Sequence, residues 1–261
     1  MALFGKLFEK KNCAICGDDI GLLGNRKLAD GNCCKKCAGK LSPWFEDRKE
    51  STVEQIKAQL DYRARNAEAL RSFEVAKVIG EYGKMYIEEE NGIPTRFFVT
   101  YESDYMDENP DIVSFKDVMS CTVDVDMDEE ELMREDKDGE LVSYNPPRFQ
   151  NHYNFYIDMV IRNVPWFDGI RFNVNDDDVT LEVVKGNAGI PVKNAAIIRE
   201  EKRYQAYEQM CEQICQAVEA AKNGAWEKET AANPEIPAFC PACGAPGDGG
   251  RFCQFCGTKL G

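Results

Sequence analysis

Along the chain the spacing of hydrophobic residues switches between a period of two and a period of about 3.6. Met85 and Ile87 alternate with polar neighbours, and Arg96–Tyr101 carries Phe97, Phe98 and Val99. With Val75–Ile79 these stretches read as strands, and Asn91-Gly92 marks the turn between the last two. From Asp111 to Asp126 the pattern continues through Ile112, Phe115 and Val118. Cys121, Val123, Val125 and Met127 then alternate with Thr122, Asp124, Asp126 and Asp128. Such a run predicts a half-buried strand with one solvated acidic face. Tyr153–Arg162, Gly169–Asn173 and Val179–Val184 add three more strands.

Two segments have the helical period. In the first, Val53, Ile56, Leu60, Ala64 and Ala67 line one face of a helix over 51–71. Ser51-Thr52-Val53-Glu54 opens it as a capping box, with Ser51 as N-cap and Glu54 reaching back. In the second, over about 194–222, Tyr207, Met210, Cys211, Ile214, Cys215, Val218 and Ala221 share a face, and Asn223-Gly224 stops the helix. Residues 129–150 are charged and then proline-rich, which predicts an exposed excursion. Glu227–Pro237 lacks a period and reads as a linker.

Composition sharpens this picture in three ways. With 43% hydrophobic and 10% aromatic residues among 261, the chain can bury a real core. No apolar run approaches the roughly 18 residues of a membrane span. Residues 1–11 read as too short and too charged for a signal peptide. The expected setting is therefore the cytoplasm, where thiols stay reduced and twelve cysteines read as metal ligands before disulfides. A lone histidine, His152, also removes triads, proton shuttles and His-metal catalytic sites from consideration.

Charge and cysteine divide the chain alike. Residues 1–50 hold ten basic and seven acidic side chains, residues 51–233 twenty and thirty-seven, and residues 234–261 two of each. Five cysteines fall in 13–37 and four in 240–256. The expected organisation is a four-cysteine zinc domain over 1–46, a connector helix over 47–72 and an acidic β domain with its C-terminal helix over 73–224. A linker over 225–237 and a zinc ribbon over 238–261 complete it.

The tail carries Cys240-Pro241-Ala242-Cys243 and Cys253-Gln254-Phe255-Cys256. Two Cys-x-x-Cys pairs supply four thiolates, which fill a tetrahedral shell around zinc. So short a segment has no hydrophobic core, and the metal must then supply much of its folding free energy. With every position taken by cysteine, no place remains for a catalytic water. The head carries Cys13-Ala14-Ile15-Cys16 and, after Cys33, Cys34-Lys35-Lys36-Cys37. Cys34 and Cys37 form its second pair, with Cys33 as a small buried residue; an exchange of Cys33 for Cys34 as ligand stays open. Between the pairs, Gly21-Leu22-Leu23-Gly24 and Lys27-Leu28-Ala29-Asp30-Gly31 read as strand and turn. Two structural zinc ions are expected.

Three resemblances follow from these residues. Cys13-x-x-Cys16-Gly17, Gly21–Gly24, Lys27-Leu28, Asp30-Gly31, Cys34-x-x-Cys37 and Lys40-Leu41-Ser42 resemble a small bacterial zinc-finger family of unknown function, common in Firmicutes. Cys240-Pro241-x-Cys243-Gly244 and Phe252-Cys253-x-x-Cys256-Gly257 are similar to the C-terminal zinc ribbons of many bacterial proteins. Six or seven antiparallel strands closed by one amphipathic helix resemble a pleckstrin-homology-like barrel, and Asn163–Phe167 with Ile170-Arg171-Phe172 looks like a hairpin of its bacterial members. These resemblances imply an α+β protein in which zinc modules flank a mainly antiparallel barrel. A two-sheet α+β sandwich is the competing fold.

Other candidate chemistry is thin. Asp124-x-Asp126-x-Asp128 with Glu135 imitates a calcium loop, but Glu129 stands where glycine is required. Asp176-Asp177-Asp178 reads as a solvated turn, Cys211 and Cys215 as small buried residues, and His152 has no acid–base partner in its neighbourhood. No phosphate loop, nucleophile elbow or H-E-x-x-H is present. No catalytic residue and no enzymatic activity are therefore expected. The expected function is a cytosolic adaptor or scaffold that binds other proteins. Nucleic-acid binding is the alternative, opposed by the acidic middle, which would repel phosphates. Membrane-surface recruitment is a second alternative, through Leu3, Phe4, Leu7 and Phe8 beside Lys6, Lys10 and Lys11, a minimal anchor that eleven residues hold weakly.

Overall fold

The computed structural model describes residues 11–184 and 195–232. The four tail cysteines and the residue 1–10 segment lie outside the described residues. The head consists of short pairings: β1 (Lys11–Asn12) with β2 (Asp19–Ile20), then β3 (Asn25–Lys27) with β4 (Asn32–Cys34), followed by α1 (Lys35–Ala38). Leu22 and Leu23, read as strand, lie exposed between β2 and β3, whereas Leu28 is buried. Cys13, Leu28, Cys33, Cys34, Cys37, Leu41 and Ile56 make a small core of their own.

Ile56 belongs to α2 (Val53–Arg71). Its capping box is Thr52 with Gln55, one residue later than the expected Ser51 and Glu54: Gln55 N–H donates to Thr52 Oγ1 (3.2 Å) and Thr52 N–H to Gln55 Oε1 (2.8 Å). Ser51 is buried and occupied elsewhere, its hydroxyl donating to the Asp47 carbonyl and its carbonyl accepting from Ala29 N–H. The buried face of α2 also differs from the expected apolar one. It consists of Ile56, Gln59, Arg63, Asn66 and Leu70, while Ala64 is exposed. The three polar members join the head to the loop at 108–112. Gln59 Oε1 accepts from Ser42 N–H, and Arg63 donates to the Lys40 carbonyl and pairs with Asp111 at 2.8 Å. Asn66 donates to the Pro110 carbonyl and accepts from Ile112 N–H. Buried polar groups are tolerated only when so partnered, and here the partnering sets how the two regions meet.

Beyond α2 the chain forms β5 (Lys77–Ile79), β6 (Lys84–Glu90), β7 (Ile93–Thr100), α3 (Tyr105–Glu108) and β8 (Val113–Ser114), with sheet order β5-β6-β7-β8. Asn91 and Gly92 take positive φ in the β6–β7 turn, as their types allow. Phe97, Phe98, Val99 and Thr100 of β7 are all buried, because both faces of that strand are covered. Phe97 and Val99 face the main core; Phe98 stacks on Tyr86, meets Phe73 edge-on and lies tilted against Tyr105.

The single strand expected over 111–126 is broken. After β8 a 3-10 turn (Phe115–Asp117) leads into β9 (Val118–Glu135), which pairs antiparallel with β10 (Leu141–Ile161). Residues 129–150, expected to be an excursion, are mostly strand: the β9–β10 ribbon runs on to Glu135 opposite Leu141, and a bulge takes up 144–147. The other edge of β10 is shared by β11 (Gly169–Asn173), opposite 156–160, and β12 (Val179–Val184), opposite 148–153. The strands thus form two separate four-stranded sheets with no closed barrel among the described residues, which corrects the barrel expectation in favour of the two-sheet alternative. Backbone bonds from Glu81, Tyr82 and Gly83 to the carbonyls of Asn173 and Val174 tie the sheets at one corner.

One core joins both sheets to α4 (Ala195–Ala232): Met85, Ile87, Phe97, Phe155, Ile157 and Phe172 meet Tyr207, Cys211, Ile214, Val218 and Ala221. The helix face is the expected one. Its end is not, because α4 continues through Asn223-Gly224 to Ala232. A Cβ on Gly224 would come within 2.5 Å of Ile93, so this glycine serves a close approach to β7 rather than a stop. Among the described residues no helix is long and apolar enough to cross a membrane.

Candidate metal centre

The head brings Cys13, Cys16, Cys34 and Cys37 together, with all four Sγ atoms within 4.8 Å of one another. Two knuckles place them. In the first, Gly17 takes φ +81°, which closes the turn so that Gly17 N–H bonds the Cys13 carbonyl and Cys13 N–H bonds the Asp18 carbonyl. In the second, Cys34 is the N-cap of α1, its Sγ accepting from Cys37 N–H at 3.4 Å. β4 presses one knuckle onto the other, and Cys34 N–H donates to Cys13 Sγ at 3.3 Å.

Four thiols so close, held by amide donors, suit a soft divalent cation. In a tetrahedral Zn–S₄ shell with Zn–S of about 2.3 Å, the sulfurs lie about 3.8 Å apart. Cys16 and Cys34 Sγ are 3.8 Å apart. Burial raises the Cys13 thiol, but N–H donors from Cys16, Cys34 and Ile15 outweigh it and bring its pKa down to about 6. Burial and the neighbouring thiols push Cys37 well up, so protons must leave this cluster when a metal enters. The cluster could hold a zinc ion, and a full set of cysteines leaves no open position for water.

Cys33 stands apart. It is fully buried, donates to the Cys34 carbonyl at 3.4 Å, and burial pushes its thiol up to about 12. Between the two candidates in the sequence, only Cys34 joins the four-sulfur cluster.

The remaining candidates fall as follows. Asp124 ion-pairs with Arg171 at 2.7 Å, and Asp126 and Asp128 lie exposed on the same strand face, so the calcium-like spacing belongs to a strand. Asp176 and Asp177 are exposed at a turn. His152 does have an acidic neighbour, Asp178, bonded to Nδ1, with Glu130 3.8 Å from Nε2. A sequence separation of 26 hid that contact, which the β10–β12 register creates by setting His152 opposite Thr180. Cys215, read with Cys211 as a small buried residue, is only partly buried and comes into sulfur contact with Cys121.

Residues 11–59 match a domain of unknown function (DUF4428). The match takes in both cysteine knuckles and the first turns of α2, so the zinc-type head is a DUF4428 domain. No curated protein and no solved structure matches the chain.

Proposed function

We propose that the protein is a non-enzymatic, zinc-stapled adaptor of the cytoplasm that binds other proteins through its β domain and zinc modules. In this reading Cys13, Cys16, Cys34 and Cys37 hold one structural zinc, and Cys240, Cys243, Cys253 and Cys256 hold a second. In this reading the middle domain works through its sheet edges, since its two sheets do not close into a barrel among the described residues.

The observation that carries the reading is the edge of β9. Among the described residues β9 pairs only with β10. Its start is covered, as Lys222 Nζ donates to the Met119 carbonyl. From Val123 onward the core-side residues emerge from cover: Val123 is 41% exposed, Val125 38% and Met127 48%. Their opposite partners Ile157 and Phe155 are buried, so α4 covers the middle of the sheet and leaves this margin bare. A bare edge with an apolar row is a template for strand addition.

Charge selects the occupant. Asp124, Asp126 and Asp128, followed by Glu129-Glu130-Glu131, make the edge acidic. A second copy would set acidic residues against acidic ones, which is destabilising. The fitting partner is an extended segment of another protein that alternates basic and apolar residues. Hydrogen–deuterium exchange of the full chain tests this, with an alternating Lys-Val octapeptide as probe and its Glu-Val counterpart as control. Slowed exchange confined to the β9 backbone with the basic peptide alone, abolished by the double substitution Val125→Lys and Met127→Lys, supports the reading. No slowing, or equal slowing by both peptides, overturns it and leaves the acidic row as protection against edge pairing.

A further inference from the structure

Cys121 on β9 and Cys215 on α4 are separated by 94 residues, yet their Sγ atoms lie 3.3 Å apart. Both are only partly buried, whereas the neighbouring Cys211 is fully buried with its thiol pushed up to about 12 by burial. A disulfide needs about 2.05 Å between sulfurs, so closure asks for roughly 1.2 Å of approach between two partly buried side chains. Their acidities are split. The hydrogen bond from Cys121 lowers Cys215, and the same bond together with burial raises Cys121. Cys215 is thus the sulfur that gives up its proton first, and the thiolate is the nucleophilic form.

We propose that Cys121 and Cys215 are an oxidisable dithiol, closed by a peroxide into a disulfide that fastens α4 to β9. The Cys215 thiolate attacks one peroxide oxygen; the O–O bond breaks, and the departing hydroxide takes a proton to become water. Cys215 is then a sulfenic acid. The Cys121 sulfur attacks it, the S–S bond forms, the S–O bond breaks, and the hydroxyl leaves as a second water with the Cys121 proton. Two thiols have given two electrons to one peroxide. A reduced thiol or dithiol reverses the step by exchange. Such transient bonds are the form in which disulfides occur in a reducing compartment.

The location gives the bond a consequence. Cys215 directly follows Ile214 and lies about one turn before Val218, both in the core face of α4, and its Sγ also reaches the Cys121 carbonyl at 3.8 Å. Oxidation would therefore pin the helix over the covered start of the β9 edge and restrict a loop of more than ninety residues in the unfolded chain.

The test uses the full, zinc-loaded chain titrated with hydrogen peroxide, with differential alkylation and peptide mapping as readout and a chromogenic zinc chelator monitoring the metal. The expected result is a Cys121–Cys215 linked peptide, a mass loss of two hydrogens and a rise in Tm on the order of 10 °C, all before zinc is released. Cys211→Ser should leave the crosslink intact. In Cys121→Ser, whose hydroxyl can still donate to the Cys215 sulfur, a dimedone adduct should appear on Cys215. If zinc is released while both thiols remain alkylatable, or if Cys215 pairs with Cys211, the proposal is overturned.

Discussion

The head and the β domain solve the same stability problem by different means. The head buries seven residues in its core cluster, four of them cysteines, and three of those four belong to the four-thiol cluster. The β domain buries an aromatic and aliphatic core shared by two sheets and α4. A segment as short as the head cannot exclude enough apolar surface to fold by that route, so its order rests on side chains that can be cross-linked by a metal. The two regions are therefore vulnerable in different ways: the head to loss of a single sulfur, the β domain to loss of volume.

Removing one sulfur should have the largest effect. Structural zinc sites contribute about 10–16 kcal/mol of apparent binding free energy in small fingers. Cys34→Ser is therefore expected to strip the head of zinc and expose it to proteolysis, whereas Cys33→Ser keeps the metal. Zinc content after dialysis, read beside limited proteolysis, checks this, and equal loss in both variants would break the assignment of Cys34 as the ligand. In the β domain, Phe97→Ala should cost about 3–5 kcal/mol in denaturant unfolding while zinc content stays unchanged. A parallel fall in zinc would mean that the two regions are not separately stabilised.

Asp111→Ala probes the seam between them. Removing the partner of a buried Arg63 should cost about 3–5 kcal/mol. Burial raises the Asp111 carboxyl against the opposing pull of Arg63, so the folded chain holds this proton more tightly than the unfolded one. Its contribution to stability is full below the ordinary Asp value of about 3.9 and is lost as pH rises through the raised value. Asp111→Asn should flatten stability against pH across that window, measured by urea unfolding at stepped pH.

Smaller effects sharpen local assignments. Thr52→Ala should cost about 1 kcal/mol through loss of the N-cap, and Glu54→Ala only a few tenths; the reverse order would restore the Ser51–Glu54 box. Glu88 gives the smallest effect. Hydrogen bonding from Arg96 lowers its pKa, so its contribution is present above the ordinary Glu value of about 4.3 and lost as pH falls through the lowered one. Glu88→Gln should slightly flatten the acid limb of Tm against pH, and only at low salt, because the pair lies near the surface.

Local features are legible in the chain alone. Cys-x-x-Cys spacing defines a knuckle, a period of two makes Met85 and Ile87 face the core, and the i, i+3, i+4 run from Tyr207 to Ala221 makes an amphipathic helix, because each needs only neighbouring residues and backbone geometry. Tertiary structure decided what depends on partners far along the chain. Val123, Val125 and Met127 alternate as a buried face should, yet lie bare because α4 stops short of their edge. Gln59, Arg63 and Asn66 are polar yet buried because the loops at 40–42 and 108–112 supply their hydrogen bonds. The Cys121–Cys215 contact and the His152–Asp178 bond likewise arise from packing and register across long separations. Period is a property of the chain, but burial is a property of what the rest of the chain brings against it.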